Sequence, residues 1–392
     1  FGSMRSGMSV SSPSTDAPAA PRAVKNPLSW YMPRFWHGMG FPTWLRELAR
    51  HRFAVSPTRA PMTCAITAFT LMNSVLAVLE RVVYGRRIDA TELAQPPLFI
   101  LGHWRAGTTF LHELLIRDPR HTYPTTYQCF APSHFVLSER YVTPYTRVFV
   151  PERRPMDNMA AGWDRPMEDE FALANLGVPS VYLCFMFPNH RPRDRDTQSL
   201  VLEEMSPADQ AAWRRCLLGF VKRVALGDPR RIVLKSPTHT ARIGTLLTMF
   251  PDARFVHICR DPYALYRSTV SLWHSLNAEE GLQAVRDDDW VPRYVLDNHR
   301  RMYDAYLRDR ALLRSDQLVE LRYEDLVADP KGQLRTVYQR LGLGDFAAVE
   351  PALDAHLAEV QDYRTNRHSM DDATSQLVRN EWGAYFDAFG YA

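Results

Sequence analysis

A glycine-bounded turn with an arginine inside it is the first feature of the chain that could do chemistry. In the segment PLFILGHWRAGTTFLHELLI, residues 97–116, an apolar run ends at Gly102 and the triplet GTT at 107–109 opens an apolar helical pattern. A buried strand, a glycine turn and a helix start present free backbone N–H groups to an anion. Arg105 adds a positive charge within the turn. We predict that this turn binds a phosphate or sulfate group.

The turn differs from the P-loop of nucleotide triphosphatases, whose pattern is GxxxxGK[ST]. Thr108 stands where that pattern has lysine, and the cation is Arg105 instead. We therefore predict an anion site that needs no metal ion. A P-loop kinase or nucleotide triphosphatase is the alternative enzyme class. The apolar runs that would supply a magnesium-binding Asp end in Lys235 and Arg260 instead.

Two further apolar runs end in cations. Lys235 follows the run at 232–234, Arg260 follows the run at 255–259, and Ser268 lies eight residues after Arg260. Ligands bind outside the carboxyl ends of parallel strands in open α/β sheets. These side chains are therefore expected beside the glycine turn, in an α/β protein.

Three segments in this order resemble the sulfotransferases that use 3′-phosphoadenosine 5′-phosphosulfate (PAPS). They are GHWRAGTTFLHELL at 102–115, RIVLKSPTH followed by Arg260 and Ser268, and LVELRYEDL at 318–326. The resemblance implies a three-layer P-loop-type α/β fold, with a central, mainly parallel sheet flanked by helices. It also implies sulfonate transfer from PAPS to a hydroxyl group, with 3′-phosphoadenosine 5′-phosphate (PAP) as product and no metal.

The resemblance also assigns roles to residues. Arg105 and Lys235 would stabilise the leaving oxygen, Arg260 and Ser268 would bind the 3′-phosphate, and Tyr323 would contact the adenine. Arg364 and Arg367 are candidates for a basic loop over the 3′-phosphate, although the family's Arg-Lys-Gly pattern is absent and a surface loop is the alternative. The implied donor-binding set is Arg105, Ala106, Gly107, Thr108, Thr109, Phe110, Arg260, Ser268, Tyr323, Arg364 and Arg367.

The general base stays open at this point. Some branches of the family have a glutamate where this chain has Gln128, and a neutral amide cannot take a proton. The candidates are His239, two positions after the histidine of the family pattern, and one carboxylate of the cluster Glu168, Asp169 and Glu170. The acidic cluster at 168–170 also suits a helix N-terminus, where carboxylates complement the helix dipole.

The N-terminal third of the chain is rich in apolar and aromatic residues. We predict that the whole chain is divided into three regions. Residues 1–26 contain a tag remnant and a disordered stretch, 27–95 form a helical extension, and 96–392 form the sulfotransferase domain. Residues 61–79 carry no charge, and we predict a buried helix there. A peripheral membrane contact through the N-terminal helices is the alternative. The apolar run at 181–187 is predicted as a strand or a pocket wall.

The composition limits the binding partners and the cellular compartment that can be expected for the protein. A formal net charge of +3 is too small to indicate nucleic-acid binding. The five cysteines lack the spacing of a metal site or a disulfide framework, so we expect them to be reduced residues of the core. We therefore expect a cytoplasmic protein, which could also be associated with a membrane. The acceptor is predicted to be a hydrophobic small-molecule or lipid alcohol or phenol. A non-catalytic nucleotide- or lipid-binding protein is the other alternative, and no oligomeric state is predicted.

Overall fold

A five-stranded parallel sheet forms the centre of the protein. The computed structural model describes residues 28–29, 32–150, 161–359 and 370–392. The strands lie in the order β2-β3-β1-β4-β5. Their bounds are β1 Leu98–Leu101, β2 His121–Thr122, β3 Arg231–Lys235, β4 Arg254–Cys259 and β5 Leu318–Arg322. All four residues of β1 are buried, as expected for a strand covered on both faces.

The strand register brings the predicted residues to one edge of the sheet. Ile100 of β1 pairs with Lys235 of β3, and Leu101 pairs with His257 of β4. Cys259, the last residue of β4, pairs with Arg322 of β5. Because all strands are parallel, the turn after β1, Lys235, and the segments after β4 and β5 emerge at the same edge.

Sixteen α-helices occur in the described part of the chain and flank this sheet. They are α1 Phe41–Arg50, α2 Ala60–Ala90, α3 Thr108–Leu115, α4 Thr126–Phe130, α5 Phe135–Thr146, α6 Asp169–Asn175, α7 Asp194–Gln198, α8 Pro207–Gly227, α9 Ile243–Met249, α10 Pro262–Glu280, α11 Val291–Asp309, α12 Tyr323–Ala328, α13 Pro330–Leu341, α14 Glu350–Glu359, α15 Asp372–Glu381 and α16 Gly383–Phe389. The predicted fold class is confirmed, while the three-part division of the chain stays a prediction.

Local sequence explains where several helices begin. Ser206 accepts a hydrogen bond from the N–H of Asp209 at the start of α8, and a proline occupies the first helical position. Asp261 and Asp329 cap α10 and α13 in the same way, each followed by a proline. A capping side chain followed by a proline therefore fixes the start of each of these three helices.

The run at 181–187 is not a strand. It forms a fully buried 3₁₀ helix, Val181–Met186, whose first turn is capped by the Ser180 hydroxyl. A short apolar run has no periodicity that separates a buried strand from a buried helical turn. The pocket-wall alternative is consistent with this burial.

Helix α2 differs from the buried helix predicted for residues 61–79. One side of α2 packs against the protein, but apolar side chains on its other side are exposed, among them Phe69, Val75 and Val78. The helix and the turn before it, Pro57–Ala90, have the length and composition of a membrane-crossing segment.

The prediction that the cysteines are core residues is wrong for Cys64, which lies on α2 and is exposed. All five cysteines are free, as expected for reduced cysteines.

Candidate active site

The turn between β1 and α3 has a backbone conformation that favours glycine at two positions. Gly102 has a φ of +142° and Gly107 a φ of +100°. A Cβ atom on Gly102 would lie 2.5 Å from the carbonyl oxygen of Ile258, and one on Gly107 would lie 2.3 Å from Cδ2 of Tyr323. Arg105, which is not a glycine, also has a positive φ of +69°. The turn is therefore tightly enclosed and strained, as is common at ligand-binding loops.

Hydrogen bonds with the segment after β3, with α10 and within the turn itself hold the turn in place. The N–H of Gly102 donates to Oγ1 of Thr240 at 2.7 Å, and Oγ1 of Thr269 donates to the carbonyl of Trp104 at 3.2 Å. The N–H of Ala106 donates to the carbonyl of His103 at 3.1 Å. Of the N–H donors predicted at 106–109, the one on Ala106 is thus engaged inside the turn, and the first turn of α3 supplies the others.

Four of the predicted donor-binding residues lie together. Nε of Arg105 donates to Oγ of Ser268 at 2.8 Å, and a guanidinium N–H of Arg260 donates to the carbonyl of Arg105 at 2.8 Å. The same Arg260 guanidinium lies 4.3 Å from the centroid of the Tyr323 ring, which packs against Gly107. The structure therefore gathers two guanidinium groups, a hydroxyl and an aromatic ring around the turn.

Lys235 joins the turn to a carboxylate. Its Nζ lies 2.7 Å from Oε1 of Glu168 and 3.5 Å from Oγ1 of Thr109, the second residue of α3. The lysine is buried, with 2% of its surface exposed, and the Glu168 side chain is 12% exposed. A buried ammonium needs such a partner because desolvation of an unpaired charge is costly. Glu168 is thus the predicted carboxylate that lies beside the turn.

Two aromatic side chains orient Glu168. The Tyr182 hydroxyl donates to Oε2 of Glu168 and accepts a hydrogen bond from Nε1 of Trp104 at 2.7 Å. Burial, together with the negative charge of Glu168, raises the pKa of Tyr182 well above its usual value. Tyr182 therefore stays protonated and donates to the carboxylate. The indole of Trp104, which belongs to the turn, is in this way linked to Glu168.

Glu170 lies in a different, closed environment. Its two oxygens accept hydrogen bonds from Arg242 at 2.6 Å, Thr238 at 3.0 Å and Ser180 at 2.7 Å, and the Glu170 and Arg242 side chains have no exposed surface. Such a network satisfies a buried carboxylate and fixes the start of α6 against the turn after β3. The structure does not bring Glu170 to the glycine turn, so its predicted role as a base is not supported by its position.

His239 is also enclosed. Its Nε2 lies 2.6 Å from Oδ2 of Asp169, neither side chain has exposed surface, and the imidazole packs edge-on against Phe99. Burial acts to raise the pKa of Asp169, but His239 and a hydrogen bond from Ser236 outweigh it, so the pKa is lowered. We therefore interpret the His239–Asp169 pair as a structural contact, which removes the geometric support for His239 as the base.

Comparison with known proteins identifies the family. A sequence model described as "Sulfotransferase family" matches residues 96–347. The chain belongs to the sulfotransferase family. It is 43% identical over 366 residues, 92% of each chain, to the omega-hydroxy-beta-dihydromenaquinone-9 sulfotransferase Stf3 of Mycobacterium tuberculosis. It is 33% identical over 275 residues to the mouse carbohydrate sulfotransferase 5, covering 63% of this chain and 64% of that one.

Solved structures of other sulfotransferases share the fold. Sulfotransferase STF9 from Mycobacterium avium superposes with a TM-score of 0.64 at 21% identity, covering 86% of both chains. Sulfotransferase STF1 from Mycobacterium tuberculosis superposes with a TM-score of 0.58 at 18% identity, covering 87% of this chain and 90% of that one. The resemblance stated from the three sequence segments is therefore confirmed, both for the family and for the fold.

Sequence reasoning missed the role of two residues of this sulfotransferase site and the structural role of Gln128. Tyr182 lies in the run at 181–187, predicted as a strand or a pocket wall, and no sequence signal connects Tyr182 or Trp104 to Glu168. Gln128, by contrast, had a readable signal. Thr125 and Gln128 form a capping box at the start of α4, where each side chain bonds the other residue's backbone N–H, and Nε2 of Gln128 donates to Glu139 at 3.1 Å. Gln128 therefore has a structural role in this enzyme.

Three further residues were predicted to bind the donor, and the structure describes one of them. Phe110 is half-buried on α3 and packs against the core. Arg364 and Arg367 lie outside the described residues. Within the described ranges, no cluster of three or more His, Cys, Asp or Glu side chains has the arrangement of a metal site.

Proposed function

We propose that this sulfotransferase transfers a sulfonate group from PAPS to a hydroxyl of a hydroxylated quinone-like lipid. The observation that carries the proposal is the convergence of Arg105, Arg260, Ser268 and Tyr323 on one glycine turn. Two guanidinium groups and a helix start beside one hydroxyl suit a donor with phosphates at two positions and an adenine ring. Tyr323, which packs over Gly107, supplies the aromatic contact.

The residues present fit such an anionic donor. The turn is closed enough to reject any side chain at Gly107, because the Tyr323 ring packs against it. Arg105 is held by Ser268 and its carbonyl by Arg260, so the guanidinium groups are oriented before the donor binds. Preorganised charge of this kind stabilises negative charge that develops during transfer without further rearrangement.

When bound, PAPS supplies the sulfonate, so that an oxygen–sulfur bond forms to the acceptor, the bond from sulfur to the phosphate oxygen breaks, and PAP leaves. Glu168 takes the acceptor's hydroxyl proton as general base. Lys235, between Glu168 and Thr109, holds the carboxylate at the turn. Its ammonium group would stabilise the negative charge that develops on the leaving oxygen. Tyr182 and Trp104 orient the carboxylate from the other side.

The acceptor class rests on the relative and on the surroundings of Glu168. The mycobacterial relative is named for a hydroxylated menaquinone, its substrate. In this chain, the Tyr182 ring that bonds Glu168 stacks on Phe171 with centroids 4.4 Å apart, and Phe171 stacks on Phe35 at 3.9 Å. An aromatic wall beside the base suits an apolar or quinone-bearing alcohol better than a carbohydrate.

The test separates the donor from the acceptor. Calorimetric titration should show metal-independent binding of PAP and little binding of ADP with Mg²⁺. Ser268→Ala should weaken PAP binding by roughly tenfold to a hundredfold, because a hydrogen bond to a charged group is lost. Turnover with PAPS and an ω-hydroxylated menaquinone, measured beside a carbohydrate acceptor, then assigns the acceptor class. Tighter binding of ADP with Mg²⁺ than of PAP would contradict PAPS as the donor. Turnover of the carbohydrate alone would contradict a quinone-like lipid as the acceptor.

A further inference from the structure

Between Phe69 and Val83, helix α2 buries polar side chains against the protein and exposes apolar ones, whereas Met62, Ile66 and Ile88, nearer its ends, are buried. Thr70, Asn73 and Glu80 are buried against the rest of the chain. On the opposite side, Val75 and Val82 are exposed at 61% and 78%. A helix on the surface of a soluble protein normally shows the reverse arrangement, with its apolar stripe facing the core. The outward side of α2 therefore resembles a surface built to contact an apolar phase.

The exposed apolar residues form a continuous stripe, which we term the outer face of α2. They are Phe69, Leu71, Met72, Val75, Val78, Leu79, Val82 and Val83. At 3.6 residues per turn these positions fall within about half of the helix circumference and extend over roughly 20 Å of its length. The sequence from Pro61 to Leu79 carries no charge. Contiguous apolar surface of this size marks an interaction site.

The inward side of α2 is anchored by buried polar contacts. Glu80 accepts hydrogen bonds from Nε of Arg223 at 2.9 Å and from the N–H of Leu137 at 3.2 Å. Nδ2 of Asn73 donates to the carbonyl of His37 at 2.7 Å. Moving α2 across a bilayer would break these contacts and leave the charge of Glu80 unpaired in an apolar medium. The helix is therefore held against the protein and can enter a membrane surface only with its outer face.

The charges next to the outer face are basic. Arg86 and Arg87 are exposed about one turn beyond Val82 and Val83. The acidic residue in this turn, Asp89, pairs with Arg81 at 2.8 Å, so the end of the helix stays positive. An anionic lipid surface neutralises such charges, whereas a contact between two copies of the chain with their α2 helices parallel would bring two sets of arginines together.

A neighbouring helix adds aromatic and basic residues of the same kind. The N-terminus of α5 meets α2 at Glu80, through the N–H of Leu137. Tyr141 and Tyr145 follow Leu137 at intervals of four residues and are exposed at 58% and 81%. The guanidinium of Arg140 lies 4.6 Å from the Tyr141 ring. Tyrosine and arginine are the side chains that membrane–water interfaces favour.

We propose that the outer face of α2 docks on an anionic phospholipid membrane, with the apolar stripe in the upper acyl region and Arg86 and Arg87 at the lipid phosphates. The contact is peripheral, because the inward side of α2 stays bound to the protein. Docking would let a lipid acceptor pass from the membrane to the enzyme. That consequence rests on the proposed function, whereas the membrane contact itself does not.

The direct test is co-sedimentation of the full chain with phosphatidylcholine vesicles that contain or lack phosphatidylglycerol. The wild-type protein should bind the anionic vesicles. Val75→Glu combined with Val82→Glu should lower this binding by at least about tenfold, the effect expected when even one valine is withdrawn from the apolar phase. Leu312→Glu is the matched control, because Leu312 is 60% exposed but lies outside α2. It should leave binding unchanged.

A second measurement uses the native cysteine on the same helix. An environment-sensitive fluorophore on Cys64, which is exposed, should shift to shorter wavelength with anionic vesicles. The same label on Leu312→Cys in a Cys64→Ser background should not shift. Arg86→Glu with Arg87→Glu should lower binding to anionic vesicles and leave binding to neutral vesicles unchanged.

Three results would overturn the membrane contact. The first is wild-type protein that fails to bind anionic vesicles, and the second is binding that the two valine substitutions do not alter. The third is a wild-type dimer in light scattering that the valine substitutions convert to a monomer, without vesicle binding, since that would assign the outer face to a second copy. None of these measurements requires donor or turnover, so they are independent of the sulfotransferase proposal.

Discussion

The ammonium group of Lys235 and the carboxylate of Glu168 form an ion pair, with Nζ 2.7 Å from Oε1, at the edge of the sheet where the glycine turn begins α3. The lysine comes from the end of β3, and the glutamate immediately precedes α6. A cation that would stabilise the leaving group and a carboxylate that would take the acceptor proton are thereby fixed relative to each other.

Glu168→Gln should lower kcat by roughly 10²–10⁴-fold, because the amide keeps the shape of the side chain but cannot act as a base. The affinity for PAP, measured by calorimetry, should stay unchanged. Tyr182→Phe is the companion variant, because it removes a hydrogen bond to Glu168 and leaves the carboxylate in place. It should lower kcat less than Glu168→Gln does. Wild-type turnover in Glu168→Gln would contradict the proposed base.

Gly107→Ala should lower PAP affinity by more than about tenfold, because the added Cβ meets the Tyr323 ring and the positive φ is strained for alanine. Gly227→Ala is the matched control. A Cβ at Gly227, the last residue of α8, has no neighbour within 4 Å, so this variant should bind PAP like the wild type. Calorimetry on both variants decides the question, and equal affinities would show that the turn is not part of the donor site.

The glycine turn and the strand ends could be predicted from sequence because their signals are local. Four apolar residues before Gly102, and cations directly after two other apolar runs, define both the strands and the edge at which they end. The choice among carboxylates at 168–170 could not be predicted in this way. Successive residues at a helix start point in directions about 100° apart, so only the packing of α6 decides that Glu168 meets Lys235 while Glu170 meets Arg242.

The orientation of α2 on the protein is a second feature that the sequence alone does not determine. Its apolar composition is evident in the sequence, but a helix that is apolar on most sides does not reveal which side faces the protein. A signal was present in the polar residues, since Thr63, Thr67, Thr70, Asn73 and Glu80 recur at helical spacing. This polar stripe, rather than the apolar one, marks the side that packs against the rest of the chain.

The buried pair of Glu170 and Arg242 gives a stability prediction. Arg242→Met should lower the free energy of unfolding by about 3–5 kcal/mol, because it leaves the enclosed carboxylate without its cation. Adding Glu170→Gln in the same chain should restore part of the loss, since the unpaired charge is then removed. Lys331→Met is the control, because Lys331 and Asp354 form an exposed pair, and it should cost less than about 1 kcal/mol.

Urea denaturation at neutral pH measures these differences. A loss for Arg242→Met that is no larger than the loss for Lys331→Met would show that the buried pair does not stabilise the start of α6. A double variant that is less stable than Arg242→Met would show that the carboxylate is satisfied by Thr238 and Ser180 alone.

Stability should fall as the pH is lowered below about 6.5, because several histidines are buried in their neutral form. His257 is an example, since burial lowers its pKa from 6.5 to about 3. Between these values the unfolded chain binds a proton at this position and the folded chain does not. The free energy of unfolding therefore decreases by about 1.4 kcal/mol for each pH unit and each such histidine. His257→Phe removes one of these protons and keeps a ring that can stack on Tyr306, whose centroid lies 4.2 Å away. Thermal or urea unfolding between pH 7 and pH 5 gives the free energy of unfolding as a function of pH. Its slope corresponds to the number of protons taken up on unfolding, and this number should be smaller by about one in His257→Phe than in the wild type. Equal slopes would mean that His257 is protonated in the folded protein.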